Sequence, residues 1–116
     1  MKPVYMSMKE LRQAYENVPS KKDISIAVSS LHYFQASGRP RYDFWETGEN
    51  LIKFYRRSAE KNWAKHGAKN TRIDLRKQPN FFAERAKAWE AKAAAVEKAM
   101  ARLKEAMEDE DHQALV

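Results

Sequence analysis

The chain predicts an all-α fold: a small bundle of three shorter helices and one long C-terminal helix. Three observations carry this. Glycine (3) and proline (4) are scarce among 116 residues, which argues against a turn-rich all-β protein. Apolar residues recur at helical spacing through most of the sequence. The last third carries a heptad pattern. The length fits one domain, 1–116, large enough for a core without covalent staples.

The first helix is expected over residues 7–18. Ser7 and Glu10 have the S-x-x-E spacing of a capping box, Met8, Leu11, Ala14 and Tyr15 share a face, and Pro19 stops the segment. The second is expected over 23–37, capped by Ser20 or Asp23. Ile24, Ala27, Val28, Leu31 and Phe34 or Gln35 follow helical spacing, and Gly38 suits the left-handed position after a last turn. A rival reading makes 23–29 and 71–76 a pair of short strands, since Ile24, Ile26 and Val28 alternate, as do Ile73 and Leu75. The longer helical pattern is preferred.

The third helix starts at Asp43 or Thr47 and covers 44–65, with Gly67 as its stop. Leu51, Tyr55, Ala59 and Trp63 step by four and predict a core-facing stripe. Lys53, Arg57, Lys61 and Lys65 also step by four, roughly opposite that stripe. Pro79 then suits the first turn of the fourth helix, 79–108. There Phe82, Ala86, Trp89, Ala93, Val96, Met100, Leu103 and Met107 are spaced 4, 3, 4, 3, 4, 3, 4. Some thirty residues at about 1.5 Å each span roughly 45 Å. That exceeds a compact domain of this size, so this helix is expected to overhang its neighbours or to lie across several of them. Residues 109–116 read as an acidic tail.

Charge is unevenly placed. Residues 53–77 hold nine cations (Lys53, Arg56, Arg57, Lys61, Lys65, Lys69, Arg72, Arg76, Lys77) and two acids (Glu60, Asp74). That local excess of +7 is larger than the whole chain's +6. Such a block suits a polyanion, although a solvated helix face has the same composition. Phe54 projects toward Lys61 and Lys65, where an aromatic ring can stack on an unpaired base, although packing against another helix or the N-terminal segment is the preferred reading of this residue alone. Arg39 and Arg41, beside Tyr42, can hold phosphate. The expected nucleic-acid-binding set is therefore Lys53, Phe54, Arg57, Lys61, Lys65, Lys69, Arg72, Arg76, Arg39 and Arg41.

The heptad residues Phe82, Trp89, Val96, Met100, Leu103 and Met107 form a candidate interaction seam. It fits either an intramolecular bundle or a homodimer through the C-terminal helix. In a parallel dimer Arg85 and Lys92 would meet Glu90 and Glu97.

Chemistry is not expected. His32, His66 and His112 lie far apart, cysteine is absent, and no nucleotide-loop, zinc-protease or nucleophile-elbow motif occurs. Asp43 and Glu46 have helix-cap spacing. The Val18-Pro19-Ser20 break between the first two helices is a weak helix-turn-helix signal, because the second helix lacks base-reading side chains. No cofactor, metal or membrane partner is expected, and a cytoplasmic location is. The expected role is non-enzymatic: phosphate-backbone binding, as an accessory subunit of a nucleoprotein complex. The alternative is a protein-interaction module, an inhibitor or scaffold docking on a larger complex. The acidic tail could also cover the cationic wall when no ligand is bound.

Overall fold

A computed structural model of the chain describes residues 2–36, 38–67 and 79–115. In order these form β1 (Tyr5–Met6), α1 (Met8–Ala14), α2 (Lys21–Val28), β2 (Phe34–Ala36), β3 (Arg39–Asp43), α3 (Phe44–His66) and α4 (Phe81–Leu115). The protein is mostly helical, with a small antiparallel sheet of order β1-β3-β2. The expected all-α bundle is thus corrected by three short strands. The rival strand reading is corrected as well. Residues 24–28 are helical, and the strands lie at 5–6, 34–36 and 39–43; 71–76 lie outside the described residues.

Local chemistry accounts for each boundary. Ser7 caps α1 in a full box: its hydroxyl accepts from the Glu10 N–H at 3.2 Å, and the Glu10 carboxylate accepts from the Ser7 N–H at 3.1 Å. The Ser7 backbone N–H, with the Ser7 hydroxyl second, holds the Glu10 carboxyl below its ordinary range. Glu16 and Asn17 adopt positive φ (56° and 58°) and turn the chain out of α1. Ser20 repeats the box with Asp23 and starts α2.

α2 ends at Val28 rather than reaching residue 37. Ser29 and Ser30 are poor helix formers. The following Phe34–Ala36 instead pairs with Arg39–Arg41, in the register Phe34↔Arg41, Gln35↔Pro40 and Ala36↔Arg39. Gly38 does take a left-handed φ of 77°, but in the tight turn of this hairpin, not behind a helix.

Asp43 closes β3 and caps α3 at once. Its carboxylate accepts from the Glu46 N–H at 3.2 Å and from the Val4 N–H at 2.9 Å. α3 then runs 23 residues and ends at Gly67. α4 returns antiparallel to it, as the descending series Gly48–Met100, Arg56–Glu97, Trp63–Glu90 and Lys65–Phe82 records. It spans 35 residues, about 52 Å. This exceeds the expected end at 108, and the segment read as a tail continues the helix to Leu115. The molecule's longest dimension is 62 Å and its radius of gyration 17.8 Å, against about 13 Å for a compact domain of roughly this length. α4 therefore overhangs, one of the two arrangements its length allows.

The core joins Leu11 and Tyr15 of the first helical segment, Ile24, Ala27 and Val28 of α2, Phe44, Trp45, Leu51 and Tyr55 of α3, and Ala93, Val96 and Ala99 of α4. The α3 stripe is correct up to Ala59. Trp63 departs from it, 37% exposed, with its indole N–H donating to Glu90 at 2.6 Å.

Candidate nucleic-acid interface

α3 presents its cations as the sequence predicts. Lys53, Arg57, Lys61 and Lys65 are all exposed. Among the described residues none of the four lies within ion-pair distance of a carboxylate. The described pairs are instead Arg41–Glu10, Arg56–Glu97 and Arg102–Glu16. Between Lys53 and His66 the only acid in the sequence is Glu60. The last member of the row differs from the rest, since the Lys65 ammonium lies 5.8 Å from the Phe82 ring centre.

Phe54 is not an open stacking surface. It is half-buried, packed edge-on against Trp89 at 5.7 Å between ring centres, with Tyr55 at 5.5 Å. Its position beside the buried stripe faces α4, because an amphipathic helix between two neighbours needs an apolar face wider than one row. Arg39 and Arg41 stand apart from the row, on β3, at the opposite end of α3 from Lys61 and Lys65. Arg39 is exposed, and Arg41 sits 3.8 Å from Glu10. Lys69, Arg72 and Arg76 lie outside the described residues. The structure therefore groups Lys53, Arg57, Lys61 and Lys65 and leaves the two arginines in a second group.

The heptad seam is filled from within the chain. Phe82, Ala86, Ala93 and Val96 are buried, while Trp89, Met100, Leu103 and Met107 are half-buried against the core. The charges that a second copy would need have internal partners. Glu97 pairs with Arg56, and Glu90 accepts from Trp63. The Lys92 ammonium lies 4.7 Å from the Trp89 ring centre, and the Arg85 guanidinium 5.6 Å from that of Phe81. The acidic end of α4 is carried away from the cationic row by the antiparallel course of the helix, toward the end where α3 begins. As an extension of a continuous helix it does not fold back over Lys61 and Lys65.

Two features escape sequence reasoning. Tyr5 and Phe34 stand exposed on the sheet, at 46% and 58%, with ring centres 5.9 Å apart. They are 29 positions apart in sequence, and only strand pairing unites them. The second is a groove of about 690 Å³ between α1 and α2, floored by Met8 and Ile24 and edged by Lys9, Arg12 and Lys21. No group of three or more metal-ligating side chains is found among the described residues, nor a helix long and apolar enough to cross a membrane. No protein-family model, curated protein or solved structure matches the chain.

Proposed function

We propose that this protein binds nucleic acid through its phosphate backbone, with the solvent flank of α3 as the contact, and performs no chemistry itself. The observation that carries the reading is the row Lys53, Arg57 and Lys61. It is exposed and lacks a carboxylate partner among the described residues, within a chain of net charge +6. Cations in a regular row on a rigid helix release condensed counterions on binding, so affinity falls steeply with salt. Nothing in such a row reads base edges, and sequence preference should be slight.

The test is a fluorescence-anisotropy titration with oligonucleotides over a range of salt concentrations. Replacing Lys53, Arg57, Lys61 and Lys65 together by glutamine should flatten the slope of log affinity against log salt by about 3. An unchanged slope removes the reading. A second reading, docking on a larger protein complex, is favoured by one feature, the exposed aromatics Tyr5, Tyr33 and Phe34. A stoichiometric protein partner that survives nuclease treatment would support it.

A further inference from the structure

The outer face of the sheet holds a second set of groups suited to the same class of ligand. Cross-strand partners share a face, as do residues two apart on one strand. Tyr5 pairs with Asp43 and Phe34 pairs with Arg41, so Tyr5, Phe34, Arg39, Arg41 and Asp43 lie on one side of β3, with Asp43 buried there as the cap of α3. Their neighbours Met6 and Tyr42 pair on the other side and pack against the core. The outer side therefore shows water two aromatic rings, 5.9 Å apart, and two guanidinium groups.

Exposed aromatic residues scattered singly need no explanation, but a facing pair interleaved with arginines is a defined surface. We propose that this surface is a stacking platform for single-stranded nucleic acid. The proposal rests on the backbone-binding reading of α3 and names the form of ligand that α3 alone would not select. Unpaired bases offer flat faces to Tyr5 and Phe34, while the phosphates between them meet Arg39 and Arg41. A duplex keeps its base faces stacked inside and gains nothing from exposed rings. The Arg41–Glu10 pair is long, at 3.8 Å, and both side chains are about half exposed (43% and 50%), so it yields readily to a phosphate.

The Tyr5 end of the platform approaches the start of the α3 row. A recess of about 540 Å³ is lined by Tyr5, His32, Asp43, Trp45, Glu46 and Glu49 among others, and Lys53 stands one helical turn beyond Glu49 on the same flank. A strand running from the platform to Lys53 must pass Glu46 and Glu49. These two carboxylates oppose it and make the platform, not charge alone, responsible for engagement at this end.

The experiment compares a labelled single strand with the matching duplex, using the full chain and two variants. Tyr5→Leu/Phe34→Leu keeps apolar bulk but removes both ring faces. It should weaken single-strand binding on the order of ten- to a hundredfold and leave duplex binding unchanged. Tyr5→Trp/Phe34→Trp should restore or exceed the original affinity, which a merely structural role for the rings would not produce. Glu49→Gln should strengthen single-strand binding several-fold. Equal losses on single strand and duplex, or no loss on either, overturn the platform. If the α3 glutamine variant still flattens the salt slope in that case, backbone binding survives without it. If the unaltered chain binds neither form, both readings fall.

Discussion

The helical hairpin of α3 and α4 and the N-terminal cap of α1, α2 and the sheet are held together differently. The hairpin relies on periodic burial. Leu51, Tyr55 and Ala59 face Ala86, Ala93 and Val96, all at most 3% exposed. Burial of this kind is non-directional, and each residue shares the work with its neighbours. The cap buries Leu11, Ile24, Ala27 and Val28 in the same core, and adds directional bonds between distant residues. The Tyr15 hydroxyl donates to the Phe44 carbonyl at 2.6 Å, and its ring stacks on that of Phe44 at 4.6 Å. The Trp45 indole donates to the Lys2 carbonyl at 3.1 Å and Asn50 to the Ala27 carbonyl at 2.8 Å. The Tyr55 hydroxyl donates to Asp23 at 2.9 Å. A few such bonds decide where the cap sits on the hairpin, so the cap should be lost in steps and the hairpin gradually.

The sharpest way to break this contrast is at Gly48, where the two regions touch. A Cβ there would lie 2.5 Å from the Met100 Sδ and closer still to the Tyr15 hydroxyl. Methionine can swing aside, but Tyr15 is fixed by its stack and its hydrogen bond. Gly48→Val should therefore destabilise by about 3 kcal/mol through overpacking and displacement of Tyr15. Gly48→Ala should cost less, because alanine regains up to about 1 kcal/mol of helix propensity. Urea denaturation measures both. A Gly48→Val protein as stable as the original would mean that the cap is not seated through Tyr15.

The next effect concerns pH. Burial, with the hydrogen bond to Asp23 second and the charge of Asp23 third, pushes the Tyr55 hydroxyl well above its ordinary value. Burial does the same for Tyr15, with the charges of Asp43 and Glu49 adding to it. A folded-state value raised above the unfolded one means that the unfolded chain loses its proton first. The stability from both groups is intact below about pH 10 and declines as pH rises above it. Thermal melts across alkaline pH should show this decline. Tyr55→Phe should cost about 2 kcal/mol at neutral pH, since Asp23 loses a charge-assisted partner, and should make the alkaline decline shallower. An unaltered decline in that variant would place the alkaline sensitivity elsewhere.

Which parts were legible follows from the same division. The hairpin could be read because each of its helices carries its own period. The row at 53, 57, 61 and 65 and the stripe at 51, 55 and 59 need only local spacing to be placed on opposite sides. Ser7–Glu10 was legible for the same reason, as a motif within one turn. The strands were not. β1 has two residues and β2 three, too short for alternation to register, and β3 contains Pro40. What makes them strands is the Gly38 turn and the bond from Val4 to Asp43, 39 positions away. For Phe54 the packing alternative is the one realised, and only the choice of Trp89 as its neighbour lies beyond a helix considered alone. The Tyr5–Phe34 pair has no sequence signal, since Phe34 reads as the end of a helical pattern, Tyr5 belongs to none, and strand pairing alone joins them.

The smallest expected effect separates the two capping boxes, and it sharpens the comparison from inside the cap. Both boxes satisfy the same backbone donors, so local chemistry alone would make Ser7→Ala and Ser20→Ala equally costly, at about 1 kcal/mol. Their surroundings differ. The Ser7–Glu10 bonds are exposed, and water can replace them. Asp23 is only 7% exposed and serves twice, accepting from the Ser20 N–H and from the Tyr55 hydroxyl through the same oxygen. Ser20→Ala removes the hydroxyl that accepts from the Asp23 N–H and loosens the turn that aims this carboxylate at α3. It should therefore cost nearer 2 kcal/mol, while Ser7→Ala costs about 0.5 kcal/mol. The double variant Ser20→Ala/Tyr55→Phe should fall short of the summed single losses by at least about 0.5 kcal/mol, because both act on one carboxylate. Equal single losses with strict additivity would mean that α2 is capped independently of its attachment to α3, and the stepwise loss of the cap would have no basis at this joint.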